Sequence, residues 1–386
     1  MNPETDGIYL DYNATTPLDP AVLETMTVIL REVYGNPSSR YHRWGRAAAD
    51  CIETARAQTA ALIGAAASEI VFTSGATESC NLAIKGVAAA YRDKGNHIIT
   101  SMAEHKAVLE PLKQLANADV EITLLRPDSA GRVTAEQIKE AMTPRTILVS
   151  VMAANNVLGT LNPIVEIAAL CKKRGVLLFC DATQAPGKIP FSVEDTGVDL
   201  AALSAHKMYG PKGVGALYVR SRAPRVRLCP QILGGGQERT LRGGTENVPG
   251  IAAMGKASEL AAQLGQTDAE RMQHLRNRLE EGLLSAVSGA EIIGRTGERL
   301  PNTALVVFAD IRAESLLGRL ADSLAAATGS ACDSASAQSN HVLKAIGMEQ
   351  DKIAGAVRLS LGRFTEPGRI ERVIDVLTAG VLELRS

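Results

Sequence analysis

The chain has 386 residues, enough for a large buried core and for two or three domains. Its net charge of −1 and its 22% of charged residues argue against a basic nucleic-acid-binding surface and against an acidic disordered tail. Because residues 1–6 lack the order of a signal peptide and no apolar run could span a bilayer, we expect a soluble cytoplasmic protein without membrane or direct nucleic-acid contacts.

The predicted elements begin with two helices, over 19–35 and 44–63. The first opens on Asp19 and Pro20, an N-cap and a first-turn proline, and stops at a glycine. Short β-branched runs then alternate with amphipathic stretches. Strands are predicted at 70–73, 97–100, 120–125, 146–151, 176–180, 200–203 and 215–219, with helices at 76–91, 134–142 and 163–174. This alternation predicts an α/β domain with a buried, largely parallel sheet of seven strands.

After residue 248 the pattern changes to helices rich in Ala, Leu, Glu and Arg, at about 248–265 and 268–288. Fewer strands follow, at 304–308 and 357–361, before a final helix that reaches residue 384. This change predicts a smaller α+β domain that begins near residue 260.

An acid and a lysine follow two of the predicted strands. Asp181 comes after the run 176–180, and Lys207 follows the run 198–203. A pyridoxal phosphate site needs this pair, because the lysine amine binds the aldehyde as a Schiff base and the carboxylate keeps the pyridine nitrogen protonated. A lysine after a strand is by itself usually a solvated end, so the assignment depends on the other motifs.

Two further segments suit a cofactor of this kind. The segment 73–78 joins a strand to a helix through a glycine and hydroxyls, which is typical of a phosphate site but also of an ordinary capped helix. Ser204 and His206 could add phosphate donors. His105 follows the strand 97–100, where an imidazole could stack on a flat cofactor and move protons, or be structural.

Three other sets of residues have both a functional and a structural interpretation. The amides of Asn155, Asn156 and Gln184 could bind a phenolic oxygen or form turns. Arg358 interrupts an apolar strand and suits a bidentate grip on a substrate carboxylate, or an internal ion pair. The glycine-rich segment 234–245 permits close backbone approach, or is a mobile linker.

Six cysteines occur without a Cys-x-x-Cys pair, which argues against a disulfide framework and a zinc site. Cys332 lies in the small, polar run 328–336, which is too poor in bulky side chains to bury a thiol. It is therefore a candidate nucleophile or an incidental surface thiol. The other five are predicted to act as small core hydrophobes: Cys51, Cys80, Cys171, Cys180 and Cys229.

Together these segments resemble the cysteine desulfurases of the NifS/IscS type, in the class V branch of the aminotransferase fold. The matching motifs cover nearly the whole chain, at 10–17, 34–39, 74–78, 103–106, 181–184, 204–213, 234–245, 329–336 and 358–364. The resemblance implies a type I pyridoxal phosphate-dependent, aminotransferase-like fold. It implies a large cofactor-binding domain at 16–260, and a small domain made of 1–15 with 261–386 that carries the catalytic cysteine loop.

The resemblance also implies a role for each matching residue. Lys207 looks like the Schiff-base lysine, Asp181 like the partner of the ring nitrogen, and His105 like the stacking residue and acid/base. The phosphate cup resembles one made of Ala76, Thr77, Ser204 and His206, with Thr245 from a second subunit. Asn155 and Gln184 resemble the ligands of the cofactor ring, and Arg358 with Asn36 and Asn155 resembles the clamp on the substrate. Cys332 matches the sulfur-accepting cysteine.

The activity implied by the resemblance is conversion of L-cysteine to L-alanine with a persulfide on Cys332, in a homodimer. Alternatives are a selenocysteine lyase, another class V lyase or transaminase, or a non-enzymatic sulfur-relay subunit. The segment 243–247 is closer to nitrogen-fixation or specialised members, and the chain lacks the longer tail of housekeeping members. The expected sulfur acceptor is an iron–sulfur scaffold, a tRNA-thiolation enzyme or a DNA phosphorothioation system. Asp333 is expected to oppose ionisation of the Cys332 thiol through its like charge.

Overall fold

The computed structural model describes residues 7–328 and 341–386. Its strands are β1 (Ile8–Tyr9), β2 (Ile70–Thr73), β3 (His97–Ser101), β4 (Glu121–Leu125), β5 (Thr146–Ser150), β6 (Leu177–Asp181), β7 (Leu200–Ser204), β8 (Gly215–Val219), β9 (Ala290–Ile293), β10 (Thr303–Phe308), β11 (Leu324–Ala325), β12 (Ala327–Thr328) and β13 (Ala356–Ser360). Its helices are α1 (Pro20–Glu32), α2 (Arg43–Leu62), α3 (Ala76–Ala90), α4 (Lys106–Ala116), α5 (Ala135–Ala141), α6 (Ile164–Arg174), α7 (Val193–Thr196), α8 (Val248–Ala286), α9 (Ala313–Arg319), α10 (His341–Ala345), α11 (Gln350–Ala354) and α12 (Ile370–Arg385). No helix in these two ranges combines the length and the apolar character that a membrane crossing requires.

The strands β2 to β8 form one seven-stranded sheet, in the order β2-β8-β7-β6-β5-β3-β4. The strands from β3 to β7 pair in parallel, whereas β8 is antiparallel to both β7 and β2. Parallel neighbours need crossover connections, which α4, α5, α6 and α7 provide. The predicted α/β class with a mostly parallel sheet of seven strands is therefore confirmed.

Both faces of this sheet are covered, which explains the continuous apolar runs in its strands. Ile99 and Val149 point to the face that packs against α2 and α8. Their neighbours Ile98 and Leu148 point to the opposite face, where α3 and α4 pack. Every residue of β5, β7 and β8 is buried, so the carboxyl ends of the strands are held in a rigid frame.

A second, four-stranded antiparallel sheet has the order β12-β13-β10-β9, and β1 pairs in parallel with β11 beside it. Its core joins Ile8 and Leu10 to side chains from α8, β10 and α12, among them Leu279, Val306 and Leu377. The first described residues therefore pack against the last third of the chain. The division into two domains at residue 260 stays a prediction. Helix α8 runs through that position without a break, so no helix end marks a boundary there.

The prediction of two helices at about 248–265 and 268–288 is wrong, since α8 is continuous from Val248 to Ala286. The residues that suggested a break have other uses. A Cβ on Gly265 would lie 3.2 Å from the Cα of Gly187, so glycine permits a close helix–loop approach. Asp268 accepts from Arg363 Nε at 2.6 Å instead of capping a new helix.

The five cysteines within the described ranges divide into two groups. Cys80, Cys171 and Cys180 are buried, as predicted for small core hydrophobes. Cys51 and Cys229 are only partly buried, so the prediction was wrong in degree for these two. Cys51 lies on α2, one residue before the buried Ile52, which places it at the margin of the core rather than within it.

Candidate active site

Polar residues follow the carboxyl ends of four parallel strands. His105 comes after β3, Asn156 after β5 and Lys207 after β7, while Asp181 ends β6. Because these ends share one edge of the sheet, the four residues line a single cavity of about 510 Å³. Six other predicted site residues line the same cavity: Ala76, Thr77, Gln184, Ser204, His206 and Arg358.

The amine of Lys207 lies in this cavity and donates to two backbone carbonyls. Its Nζ is 2.5 Å from the oxygen of Asn13 and 2.6 Å from that of Ala14. These residues precede Lys207 by more than 190 positions, and no local pattern relates them to it. The segment 10–17 could be identified as a motif from the sequence, but its contact with Lys207 could not.

Asp181 is a buried carboxylate on the cavity wall, 6% exposed. Its Oδ1 accepts from the backbone N–H of Thr183 at 3.0 Å and also from the Thr183 hydroxyl. Thr183 thus holds the carboxylate in one orientation. The sequence reasoning gave Thr183 no role, although an Asp followed two residues later by Thr is a pattern that favours such a local turn.

The N-terminus of α3 faces the cavity without a side chain to cap it. Gly75, just before it, has a φ of +151°, a conformation that side-chain-bearing residues rarely adopt. The first amides of a helix lack intrahelical acceptors, and here Ala76 and Thr77 carry them at the cavity wall. These amides, with the helix dipole, suit an anion such as a phosphate.

Glu78, in the first turn of α3, ties a distant loop to this end of the cavity. Its Oε1 accepts from Arg242 Nε at 2.9 Å, and its Oε2 accepts from the N–H of Ser74 at 2.8 Å. Burial raises the pKa of Glu78, but these hydrogen bonds outweigh it and hold the pKa below its usual value. The segment 234–245 is therefore anchored beside the predicted phosphate cup and is not a free linker.

Two imidazoles line the cavity in their neutral form near pH 7. Nδ1 of His105 accepts from the N–H of Ala107 at 3.1 Å, so its proton is carried on Nε2. Burial lowers the pKa of His105. Burial and the nearby cations Lys207 and Lys212 lower the pKa of His206 to about 4. A neutral ring can donate and accept at once, which suits proton transfer.

Arg358 reaches the cavity from β13 of the second sheet. Its Nη2 donates to Asp11 Oδ1 at 2.6 Å and its Nη1 to the carbonyl of Asn156 at 3.0 Å, so the internal ion pair considered above exists. Its Nε is buried without a hydrogen-bond partner among the described residues. The guanidinium is thus held rigidly at the cavity and keeps one unused donor.

The prediction that Asn155 binds a ligand disagrees with its surroundings, and Asn156 takes its place on the cavity wall. Asn155 is fully buried, and its Oδ1 accepts from the N–H groups of Val157 and Leu158 at 2.8 and 3.0 Å. Its Nδ2 donates to the carbonyl of Ala103 at 3.0 Å. Asn155 therefore shapes the turn after β5. Two adjacent asparagines cannot be told apart without the backbone direction at the strand end.

Besides Asn155, two of the predicted site residues that the structure describes do not line this cavity. Thr245 is exposed at the end of the loop that Arg242 anchors. Asn36 is exposed, and its Oδ1 accepts from the N–H of Ser38 at 2.9 Å within a turn. Cys332 lies outside the described residues, as does Asp333.

Glu104 is a buried acid beside the cavity that the sequence reasoning left without a role. It is 0% exposed, and its Oε1 accepts from the N–H of Met152 at 2.7 Å. Its Oε2 is buried without a hydrogen-bond partner among the described residues. Burial, reinforced by the charge of Asp181, holds the pKa of Glu104 well above its usual value. The protonated, neutral form of this side chain is therefore favoured relative to an exposed glutamate.

This raised pKa predicts a pH dependence of stability that Glu104→Gln should remove. An unfolded glutamate ionises near a pKa of about 4.3, whereas the folded protein keeps the proton, so stability falls as pH rises from that value towards the folded-state pKa. Glutamine cannot ionise. We expect the variant to lose less of its free energy of unfolding than the wild type between about pH 5.5 and about pH 8, by at most about 1.4 kcal/mol for each pH unit over which the folded protein retains the proton. Urea unfolding at both pH values measures this, and parallel losses would contradict it.

Comparisons with known proteins give a consistent result over nearly the whole chain. A family model described as aminotransferase class V matches residues 8–373. A relative named cysteine desulfurase IscS, from Anaeromyxobacter sp. (strain Fw109-5), is 48% identical over 378 residues, which are 98% of this chain and 93% of the relative. A solved NifS-like protein has a TM-score of 0.91 at 40% identity, covering 98% of this chain and 99% of its own. The structure of SspA in complex with cysteine has a TM-score of 0.80 at 35% identity, and the match covers 93% of this chain and 99% of the SspA chain.

Proposed function

The chain belongs to the class V aminotransferase family, among its cysteine desulfurases, and we propose that it uses pyridoxal 5′-phosphate to move the sulfur of L-cysteine onto Cys332, releasing L-alanine. One observation carries the proposed site. A lysine amine, a buried carboxylate and an uncapped helix N-terminus line the same cavity, from Lys207, Asp181 and Ala76. No two of these three groups are neighbours in the sequence, so their convergence reflects the fold.

The residues around the cavity suit this cofactor. Lys207 offers an amine for the aldehyde, Asp181 a carboxylate for the ring nitrogen, and the amides of Ala76 and Thr77 donors for the phosphate. His105 offers a flat, neutral ring on the wall between them. When bound, the cofactor supplies an electron sink for the charge that develops at the substrate Cα.

The substrate carboxylate is assigned to Arg358, with Asn156 beside it. The buried Nε of Arg358, which has no hydrogen-bond partner among residues 7–328 and 341–386, supports this assignment, because a small shift of the guanidinium would let this donor bond a carboxylate in the cavity. The related SspA has been solved with cysteine, which supports an amino acid of this size as the substrate here.

Each proton and sulfur transfer is assigned to a side chain of this protein. Lys207 takes the proton from the substrate Cα, and His105 moves a proton at the substrate thiol. The sulfur of Cys332 then attacks the substrate sulfur. A sulfur–sulfur bond forms and the substrate Cβ–S bond breaks, leaving its electron pair on Cβ, which takes up a proton. L-Cysteine and one thiol thus give L-alanine and a persulfide without an external oxidant.

We assign the protein to a homodimer in which Thr245 completes the phosphate cup of the partner subunit. Thr245 is exposed and does not line the described cavity of its own chain. Ile232 and Leu233, in the same loop region, are 41% and 80% exposed, so two adjacent apolar side chains are available to a partner surface. Such an interface should bury more than ~1,000 Å². Sedimentation equilibrium that returned only monomer would contradict this assignment.

The persulfide sulfur is expected to pass to an acceptor protein. The name of the IscS relative supports an iron–sulfur scaffold as acceptor. A tRNA-thiolation enzyme and a DNA phosphorothioation system are the other recipients expected from the sequence. Sulfur transfer from the loaded protein to each purified acceptor, followed with radiolabelled cysteine, would identify the acceptor.

A product assay with L-cysteine tests the proposed reaction. Purified protein with pyridoxal phosphate and a reducing thiol should release alanine and sulfide in equal amounts. Pyruvate and ammonia in place of alanine would identify an elimination lyase, and a keto acid without sulfide would identify a transaminase. Turnover of selenocysteine without turnover of cysteine would identify a selenocysteine lyase. Any of these three results would overturn the proposed function.

A further inference from the structure

Lys188 is a second lysine buried beside the cavity, and the proposed function gives it no role. It is 6% exposed, and its Nζ donates to Oε1 of Gln184 at 2.6 Å. The two residues are four positions apart in the turn after β6, where the N–H of Lys188 bonds the carbonyl of Ala185 at 3.1 Å. This helix-like turn brings both side chains to the same side.

A continuous set of hydrogen bonds connects Lys188 to Lys207. Nε2 of Gln184 donates to the carbonyl of Asn13 at 3.0 Å, and that carbonyl also accepts from Lys207 Nζ at 2.5 Å. Oε1 of Gln184 thus faces Lys188 and its NH₂ group faces Asn13, which is the arrangement that the charged form of Lys188 requires, because an ammonium group only donates. Because Gln184 lines the cavity, Lys188 determines which end of this amide is directed there.

The charges around Lys188 are mainly positive. Burial is the main cause that lowers the pKa of Lys188 to about 7, and the positive charges of Lys207 and Arg358 contribute to this lowering. The repulsion between two cations is mutual, so a charged Lys188 disfavours the charged form of the Lys207 amine to the same extent. Only a neutral amine can react with an aldehyde or accept a proton from the substrate.

We propose that Lys188 is a positioning residue that orients the Gln184 amide in the cavity and favours the neutral amine of Lys207. This inference rests on the proposed role of Lys207. Lys188 also lines a second cavity of about 570 Å³, between the segment 186–191 and α8. Lys188→Met is the appropriate variant, because methionine keeps most of the length of the side chain and removes the charge and the donor.

The first measurement is the reactivity of Lys207 in the cofactor-free protein. Labelling with acetic anhydride across a pH series, read by mass spectrometry, reports the fraction of neutral amine. In Lys188→Met we expect Lys207 to react several-fold more slowly than in the wild type at pH values below about 7, where Lys188 carries its charge. Lys188→Arg, which keeps the charge, should restore most of this reactivity. Lys173 is exposed on α6, so in Lys173→Met the reactivity of Lys207 should equal that of the wild type.

The second measurement is the dissociation constant of pyridoxal phosphate. It should rise about tenfold in Lys188→Met, because the Gln184 amide is then no longer held in its orientation. Equal Lys207 reactivity and equal dissociation constants in Lys188→Met and wild type would overturn the inference. If circular dichroism shows that Lys188→Met does not fold, Lys188→Gln takes its place, and its Lys207 reactivity and dissociation constant are compared with those of the wild type. A Lys207→Ala variant that binds the cofactor as the wild type does would instead overturn the proposed function, whatever Lys188 does.

Discussion

Cys332→Ala is expected to abolish the release of both alanine and sulfide from L-cysteine, lowering turnover roughly a thousandfold or more. Without this thiol, no group on the protein accepts the sulfur, so the Cβ–S bond stays intact. Binding of cysteine should persist, because the carboxylate and amine contacts are made elsewhere. The variant should therefore still change the visible spectrum of bound cofactor when cysteine is added.

The described residues on both sides of Cys332 support this role. Before it, β12 ends at Thr328, and its residue Ala327 pairs across the sheet with Arg358, which lines the cavity. A chain spans at most about 3.5 Å per residue, so four residues from Thr328 reach about 14 Å. Thr328, the last described residue before Cys332, thus lies next to a strand that contributes Arg358 to the cavity wall.

After Cys332, the chain is anchored again next to the cavity. His341 begins α10, and its Nε2 lies 2.8 Å from the carbonyl oxygen of Glu104, the residue before His105. The described residues on either side of Cys332, Thr328 and His341, therefore both lie near residues of the active-site region.

A cysteine control separates the role of Cys332 from a general effect of thiol loss. Cys51→Ala removes a partly buried thiol on α2 and should keep turnover near the wild-type value. If alanine and sulfide were still formed by Cys332→Ala, the cofactor assignment would stand but Cys332 would no longer be the sulfur acceptor.

Lys207→Ala is expected to be equally damaging, for a different reason. Its amine is assigned both the covalent hold on the cofactor and the removal of the substrate Cα proton, so turnover should fall roughly a thousandfold or more. The absorbance band of the lysine-bound cofactor should disappear. Lys207→Arg should fail as well, since it keeps the positive charge but not a nucleophilic amine.

Chemical rescue would distinguish this role from a structural one. Added ethylamine should restore part of the turnover of Lys207→Ala, because a small amine fits the space that the side chain leaves. Lys173→Ala, exposed on α6, serves as the matched control and should be unaffected. Unchanged absorbance and turnover in Lys207→Ala would contradict the assignment.

Much of the large sheet could be predicted from short-range patterns. The runs that became β2, β5, β7 and β8 are mostly apolar because both of their faces are covered, and Asp19 with Pro20 marks the start of α1. The pattern failed where one residue type has two uses. Gly265 and Asp268 read as a helix break, but tertiary contacts employ both within a continuous helix.

The sequence by itself determined the α/β class and the order of chemical groups after the strands, because these depend on periodicity and on residues only a few positions apart. It therefore identified Asp181, Lys207 and His105 as site candidates. Only the tertiary structure decided that Asn13 holds Lys207, that Asp11 pairs with Arg358, and that Asn156 rather than Asn155 faces the cavity. The first two contacts join residues 194 and 347 positions apart, and the third depends on the exact path of a turn. Contacts of this kind are set by strand order and by the packing of the second sheet, which no local pattern encodes.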